Sequence, residues 1–195
     1  MAMTKRTVTK YWRRRYARGY RRYRGLSNQY FRAKIEGVYT IAFPAEAGQP
    51  VFAETEQSVL RFTQVFSSSQ YFGSLIAMFG YMKLTGVCME VTPGPKNYAG
   101  TANVGTKILV GYSYGSSTFQ NYNELVANNN SIVLGVDTTK KKYSPAMGAN
   151  GWLNAGTSES LGAFSVASSL NGTLTTMPTW TCRFSLYLIF KKTNV

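Results

Sequence analysis

The chain has 195 residues, a one-domain length, with 22 Lys and Arg against 8 Asp and Glu and a formal charge of +14. It has no histidine and two cysteines, Cys88 and Cys182. That removes the commonest general base, the commonest metal ligand, every Ser-His or Cys-His arrangement and any disulfide framework. No run approaches the roughly 20 apolar residues of a membrane span, and the N-terminus lacks an apolar signal core. These exclusions point to a non-catalytic protein made inside the cell, with no metal or cofactor expected.

Residues 1–34 come first and hold most of the charge. Lys5, Arg6, Lys10, Arg13, Arg14, Arg15, Arg18, Arg21, Arg22, Arg24, Arg32 and Lys34 are 12 cations with no acid before Glu36, while the other 161 residues carry 10 cations against 8 acids. Tyr11, Trp12, Tyr16, Tyr20 and Tyr23 interleave with the arginines. Guanidinium forks grip phosphate oxygens in pairs, and flat rings offer stacking faces to unpaired bases. Like charge this dense resists packing, so the sequence predicts a disordered nucleic-acid-binding arm (1–34) on a nearly neutral domain (35–195). A bare nuclear address and a transit peptide are the competing readings. The scarcity of serine and of an apolar stripe argues against the transit peptide.

Beyond the arm, residues 35–43 alternate, with Ile35, Gly37, Tyr39, Ile41 and Phe43 on one face, and read as a strand. Residues 44–50 are a Pro- and Gly-marked loop, and 58–66 favour a strand of open register. Residues 69–79 predict a short amphipathic helix capped by Ser68 or Ser69, with Phe72, Leu75, Ile76 and Phe79 on one side. Strands follow at 81–92, stopped by Pro93-Gly94-Pro95, at 106–114 and at 131–136, with a helical turn at 119–126. Lys140, Lys141 and Lys142 form the one basic cluster of the body and read as a solvated loop, or less readily as a polyanion contact. Short strands are expected at 152–153 and 161–166, and a turn at Asn171-Gly172. The strongest strand is 180–191. Trp180, Cys182, Phe184, Leu186, Leu188 and Phe190 face one way, and Thr181, Arg183, Ser185, Tyr187, Ile189 and Lys191 the other. Cys182 then reads as a buried small hydrophobe. Glu54 and Glu56, the one close acid pair, read as solvated charges, and two glycosylation sequons read as coincidences.

About eight strands with long connections suit an all-β, antiparallel jelly-roll sandwich. Another sandwich or barrel fits the periodicity equally well. The charge split, the β-rich body and the lack of catalytic parts favour a self-assembling coat protein that packages single-stranded nucleic acid. A satellite RNA virus coat protein shares that support. A cellular basic binding module would carry positive charge on the folded domain too.

Three stretches resemble the capsid proteins of circoviruses and related circular single-stranded DNA viruses. They are YWRRRYARGYRRYRG at 11–25, FGYMKLTGVCMEVTP at 79–93, similar to the family's fourth strand, and WTCRFSLYLIFKK at 180–192, similar to its last. The chain is shorter and its body less basic than a circovirus capsid, which marks a divergent member of the wider group. The resemblance implies a jelly roll of two stacked four-stranded sheets, 60 copies closing into a T=1 icosahedral shell, and a basic arm turned to the packaged DNA. Within the arm, Arg13, Arg14, Arg15, Arg18, Arg21, Arg22 and Arg24 would double as a nuclear localisation signal. It further implies a virion location, assembly in the host nucleus, and host import machinery and a cell-surface receptor as partners. Residues 44–56, 93–105, 113–130 and 138–151 would be the loops that meet at the symmetry axes.

Overall fold

The computed structural model describes residues 30–43, 49–67, 69–94, 107–115, 118–119, 121–135, 138–145, 151–155, 161–169 and 178–192. Two antiparallel sheets form a sandwich. The larger is built from β1 (Tyr30–Ala42), β2 (Val51–Phe52), β4 (Tyr81–Pro93), β7 (Lys140–Pro145), β8 (Leu153–Asn154) and β10 (Trp180–Lys191), in the order β2-β1-β10-β4-β7 with β8 also on β4. The smaller is β3 (Val59–Arg61), β5 (Ile108–Tyr114), β6 (Ser131–Leu134) and β9 (Gly162–Ser168), in the order β3-β9-β5-β6. Apart from the neighbours β5 and β6, the longer strands cross from one sheet to the other as the chain proceeds, which is the jelly-roll course expected. Three short helices lie between strands: α1 (Phe62–Ser67), α2 (Gln70–Met78) and α3 (Tyr122–Ala127).

The alternation in 180–191 places all six residues of its apolar set in the core, none more than 1% exposed. Residues 35–43 behave alike, with Ile35, Gly37, Tyr39, Ile41 and Phe43 buried. β1 nevertheless begins at Tyr30, five residues ahead of the expected start, and pairs with β10 from Tyr30↔Lys191 to Ile41↔Trp180. In β4 the buried set changes parity, from Met82 and Leu84 to Val87, Met89 and Val91. A β-bulge causes this: Tyr187 pairs with Gly86 but Leu188 with Leu84, leaving Thr85 as the extra residue. Its hydroxyl donates to the Tyr187 carbonyl at 3.0 Å.

The two sheets meet through aromatic rings. Phe184 of β10 stacks on Phe164 of β9 with ring centroids 3.8 Å apart, and Phe62, Tyr39, Phe52 and Tyr112 pack around that pair. A second aromatic run closes one end of the sandwich under α1 and α2: Phe66 on Phe72, Phe72 on Phe190, Phe190 on Phe79, and Phe79 on Phe31.

The expected helix at 69–79 is α2, entered at Ser69, and the helical turn at 119–126 is α3. The strand expected across 58–66 is corrected. It spans only Val59–Arg61, and Phe62–Ser67 is helical, because Phe62, Val65 and Phe66 bury at spacings of three and four rather than two. Gln64 Oε1 accepts from the Arg61 amide at 2.7 Å, satisfying a donor where strand gives way to helix. Lys140 to Pro145, expected in a solvated loop and within a symmetry-axis loop, is instead the edge strand β7. Segments 44–56 and 113–130 likewise carry β2 and α3. The turn at Asn171-Gly172 and residues 95–105 of the expected 93–105 loop lie outside the described residues.

Candidate nucleic-acid interface

Of the arm residues singled out, Lys5, Arg6, Lys10, Tyr11, Trp12, Arg13, Arg14, Arg15, Tyr16, Arg18, Tyr20, Arg21, Arg22, Tyr23 and Arg24 lie outside the described residues. Arg32 and Lys34 do not belong to a free arm. They sit on β1, opposite Ile189 and Tyr187 of β10, on the side of the large sheet that faces away from the core.

Strand alternation sends every second side chain to that outward face. Glu36 and Val38 follow on β1, Arg183, Ser185, Tyr187, Ile189 and Lys191 stand on β10, and Lys83, Cys88 and Glu90 on β4. From β7 come Lys141, opposite Glu90, and Tyr143, opposite Cys88. The face therefore collects six cations, Arg32, Lys34, Lys83, Lys141, Arg183 and Lys191, against two carboxylates, Glu36 and Glu90, a formal +4.

Both carboxylates are taken up locally. Glu36 meets Lys34 Nζ at 2.5 Å and accepts the Ser185 hydroxyl at 2.9 Å. The Lys34 bond, then the Ser185 bond, hold its carboxyl below the usual range, and the same contact raises Lys34. Glu90 meets Lys141 Nζ at 2.8 Å, which lowers the acid and raises the amine. No ion pair among the described residues involves Lys83, Arg183 or Lys191.

Four tyrosines share this face, Tyr30 and Tyr81 beside Lys191 and the pair Tyr143 and Tyr187. The Tyr143 ring lies over Gly86, where a side-chain carbon would meet its hydroxyl at 2.7 Å, and stands edge-on to Tyr187 at 5.5 Å between centroids. Lys34 Nζ reaches within 5.9 Å of the Tyr187 ring centre, a cation–π distance. Tyr143 remains 57% exposed, so its outer face is open to a planar partner.

The basic triplet does not act as one cluster. Strand alternation divides it: Lys141 goes outward to Glu90, while Lys142 donates to the carbonyls of Asn129 and Ser131. The sequence reading missed Lys83, Arg183 and Lys191 as a group, because a nearly neutral total concealed where the charges stand. The signal was present in β10, whose outward set contains Arg183, Tyr187 and Lys191.

The other chemistry read from the sequence is placed as follows. Glu54 accepts the Thr40 amide through both oxygens at 2.8 and 3.1 Å, so it serves the edge of β1 rather than a dyad with Glu56. Cys88 and Cys182 are free thiols on adjacent strands, but Cys182 points into the core and Cys88, opposite Ser185, points out. Burial pushes the Cys182 thiol far above its usual value. Among the described residues no three His, Cys, Asp or Glu side chains gather as a metal site, and no helix is long and apolar enough to cross a membrane.

No protein-family model matches the chain, and no curated protein matches it in sequence. Solved structures do resemble it. That of Cocksfoot mottle virus superposes with a TM-score of 0.60 at 9% identity, covering 86% of each chain. Mud crab tombus-like virus gives 0.59 at 12% identity, covering 85% of this chain and 82% of that one. The T=1 subviral particle of a Penaeus vannamei nodavirus capsid protein deletion mutant gives 0.58 at 10%, covering 83% and 97%. At these identities the likeness is one of fold: the chain has the jelly-roll sandwich seen in the proteins of those virus particles.

Proposed function

We propose that this chain is the coat protein of a small icosahedral virus, closing as 60 copies into a T=1 shell around a circular single-stranded DNA genome. The observation that carries the reading is the union of a jelly-roll body with 12 cations and no acid in its first 34 residues. The fold likeness to proteins of virus particles supports the coat-protein class. The circovirus-like choice within that class, and DNA as the cargo, rest on the three stretches at 11–25, 79–93 and 180–192.

In this reading the arm neutralises phosphate with its arginines, while Tyr11, Trp12, Tyr16, Tyr20 and Tyr23 stack on bases. Neither contact reads a sequence, so packaging is general for single strands. The seven arginines from Arg13 to Arg24 also serve as the nuclear import signal, which locates assembly in the host nucleus and the finished protein in the virion. Import machinery and a cell-surface receptor are the host partners.

Electron microscopy of the purified protein, followed by nuclease digestion of its contents, tests this. Shells holding DNase-sensitive, RNase-resistant nucleic acid are expected. RNase-sensitive contents would assign the chain to the satellite RNA virus type. Monomers and small oligomers alone would leave a cellular nucleic-acid-binding module.

A further inference from the structure

We infer that the outward face of the large sheet is a second nucleic-acid contact, formed by Lys83, Arg183 and Lys191 around the Tyr143–Tyr187 pair. The inference rests on the packaging reading above and adds to it a site on the folded domain, where the charge total had suggested none.

Three observations carry it. First, the cations of the strands are segregated: six stand on this face, whereas the outward side of the small sheet holds one, Arg61. Second, the two acids on the face are each engaged by a lysine, Glu36 by Lys34 and Glu90 by Lys141. Lys83 and Lys191 form no ion pair among the described residues, and Arg183, opposite Glu90, helps to lower both carboxyls without pairing with either at contact distance. Third, a stacking platform stands in their midst. Tyr143 lies over Gly86, edge-on to Tyr187, and keeps 57% of its surface exposed. Cations that follow a phosphate backbone beside a ring that accepts a base are the two elements of single-strand binding.

The first described residue, Tyr30, opens β1 opposite Lys191, at the end of the face where Lys83 also stands. The ligand is the phosphodiester backbone of an unpaired strand, DNA or RNA.

The test uses the full chain and a fluorescent 30-residue oligo-dT, with affinity followed across salt. Three variants are compared: the arm variant with the seven arginines from Arg13 to Arg24 changed to Gln, the face variant Lys83→Gln/Arg183→Gln/Lys191→Gln, and a control, Arg61→Gln/Lys107→Gln. Each phosphate released from a single strand contributes about −0.7 to the slope of log affinity against log salt. The face variant should therefore lose about 2 from the slope, so the wild type's advantage over it shrinks about 16-fold between about 50 and 200 mM salt. The control should keep the wild-type slope. A face variant with the wild-type slope, beside an arm variant whose slope falls, would overturn this inference and leave the packaging reading standing. Wild-type slopes in both would overturn both. A variant that does not fold is replaced by acetylation mapping on the wild type. Shielding of Lys83 and Lys191, but not Lys107, on adding oligo-dT supports the face. Equal reactivity with and without it refutes the inference, and shielding that tracks protein concentration alone refutes it and assigns the face to a second copy of the chain.

Discussion

The two sheets of this sandwich bury similar inner faces and turn very different outer ones to their surroundings. Behind the small sheet, Leu109 and Ala167 pack with Leu125 of α3, and apart from Arg61 the remaining outward strand residues are uncharged, among them Ala163, Ser165, Gly111 and Ser113. Behind the large sheet stand six cations, two acids and four tyrosines, Tyr30, Tyr81, Tyr143 and Tyr187. One face is finished within the chain; the other holds concentrated charge. Strand parity alone sorts these cations to one side of the sheet, so the two outer faces differ in charge without any change in the course of a strand.

The difference can be attacked first at what the sheets share. Phe184 and Phe164 hold them together at 3.8 Å between centroids, so Phe184→Ala and Phe164→Ala should each cost about 3–5 kcal/mol. Denaturant melts check this; a loss near 1 kcal/mol in either would show that the sheets are not joined at this pair.

Glycines separate the sheets next. Gly162 of β9 has φ 148° and packs so tightly that a side-chain carbon would strike the Ser113 carbonyl and the Phe62 ring. Gly162→Ala should cost about 1–3 kcal/mol for strain alone, with overpacking added. Gly86→Ala meets only the end of the exposed Tyr143 ring. It should cost about 1 kcal/mol or less and weaken oligonucleotide binding instead. Equal losses in the two melts would remove the contrast.

On the small sheet, Asn121 caps α3, accepting the Glu124 amide at 2.9 Å. Asn121→Ala should cost about 1 kcal/mol and leave the salt slope of binding unchanged.

On the large sheet the smallest effect is one of pH. Glu36 is held below its usual value of 4.5 by Lys34 and Ser185. Such a depressed carboxylate stabilises the fold above its unfolded value, and that contribution is lost as pH falls through the lower folded value. Protonation also removes a negative charge from the face, so binding should tighten as the pH drops below the usual carboxylate range. Glu36→Gln should flatten both responses by melt and by anisotropy; a mutant that tracks the wild type would show that Glu36 plays no part.

Legibility from sequence followed burial. β10 was readable to the residue because it is central in its sheet with one face dry, and a one-residue slip would expose its whole apolar set. β4 was readable as a strand, but its parity was not, since Thr85 bulges and only the partner register reveals that. α1 was missed because six residues offer one helical turn and a half, too short for periodicity to outvote the preceding strand. β7 was missed because three lysines in a row resemble a loop until Glu90 and the carbonyls of Asn129 and Ser131 are seen to receive two of them. The charged face needed the register of four strands at once, and no local window contains that.

The position of β10 also sets the timing of synthesis. Its partners are β1, made at the start of the domain, and β4, made some hundred residues before it. While a ribosome is still short of Trp180, both strands present long unpaired edges with no neighbour to fill the gap. A chain that stops short of Trp180 thus has no finished large sheet, because the strand that joins β1 to β4 is the last of the described fold to be made.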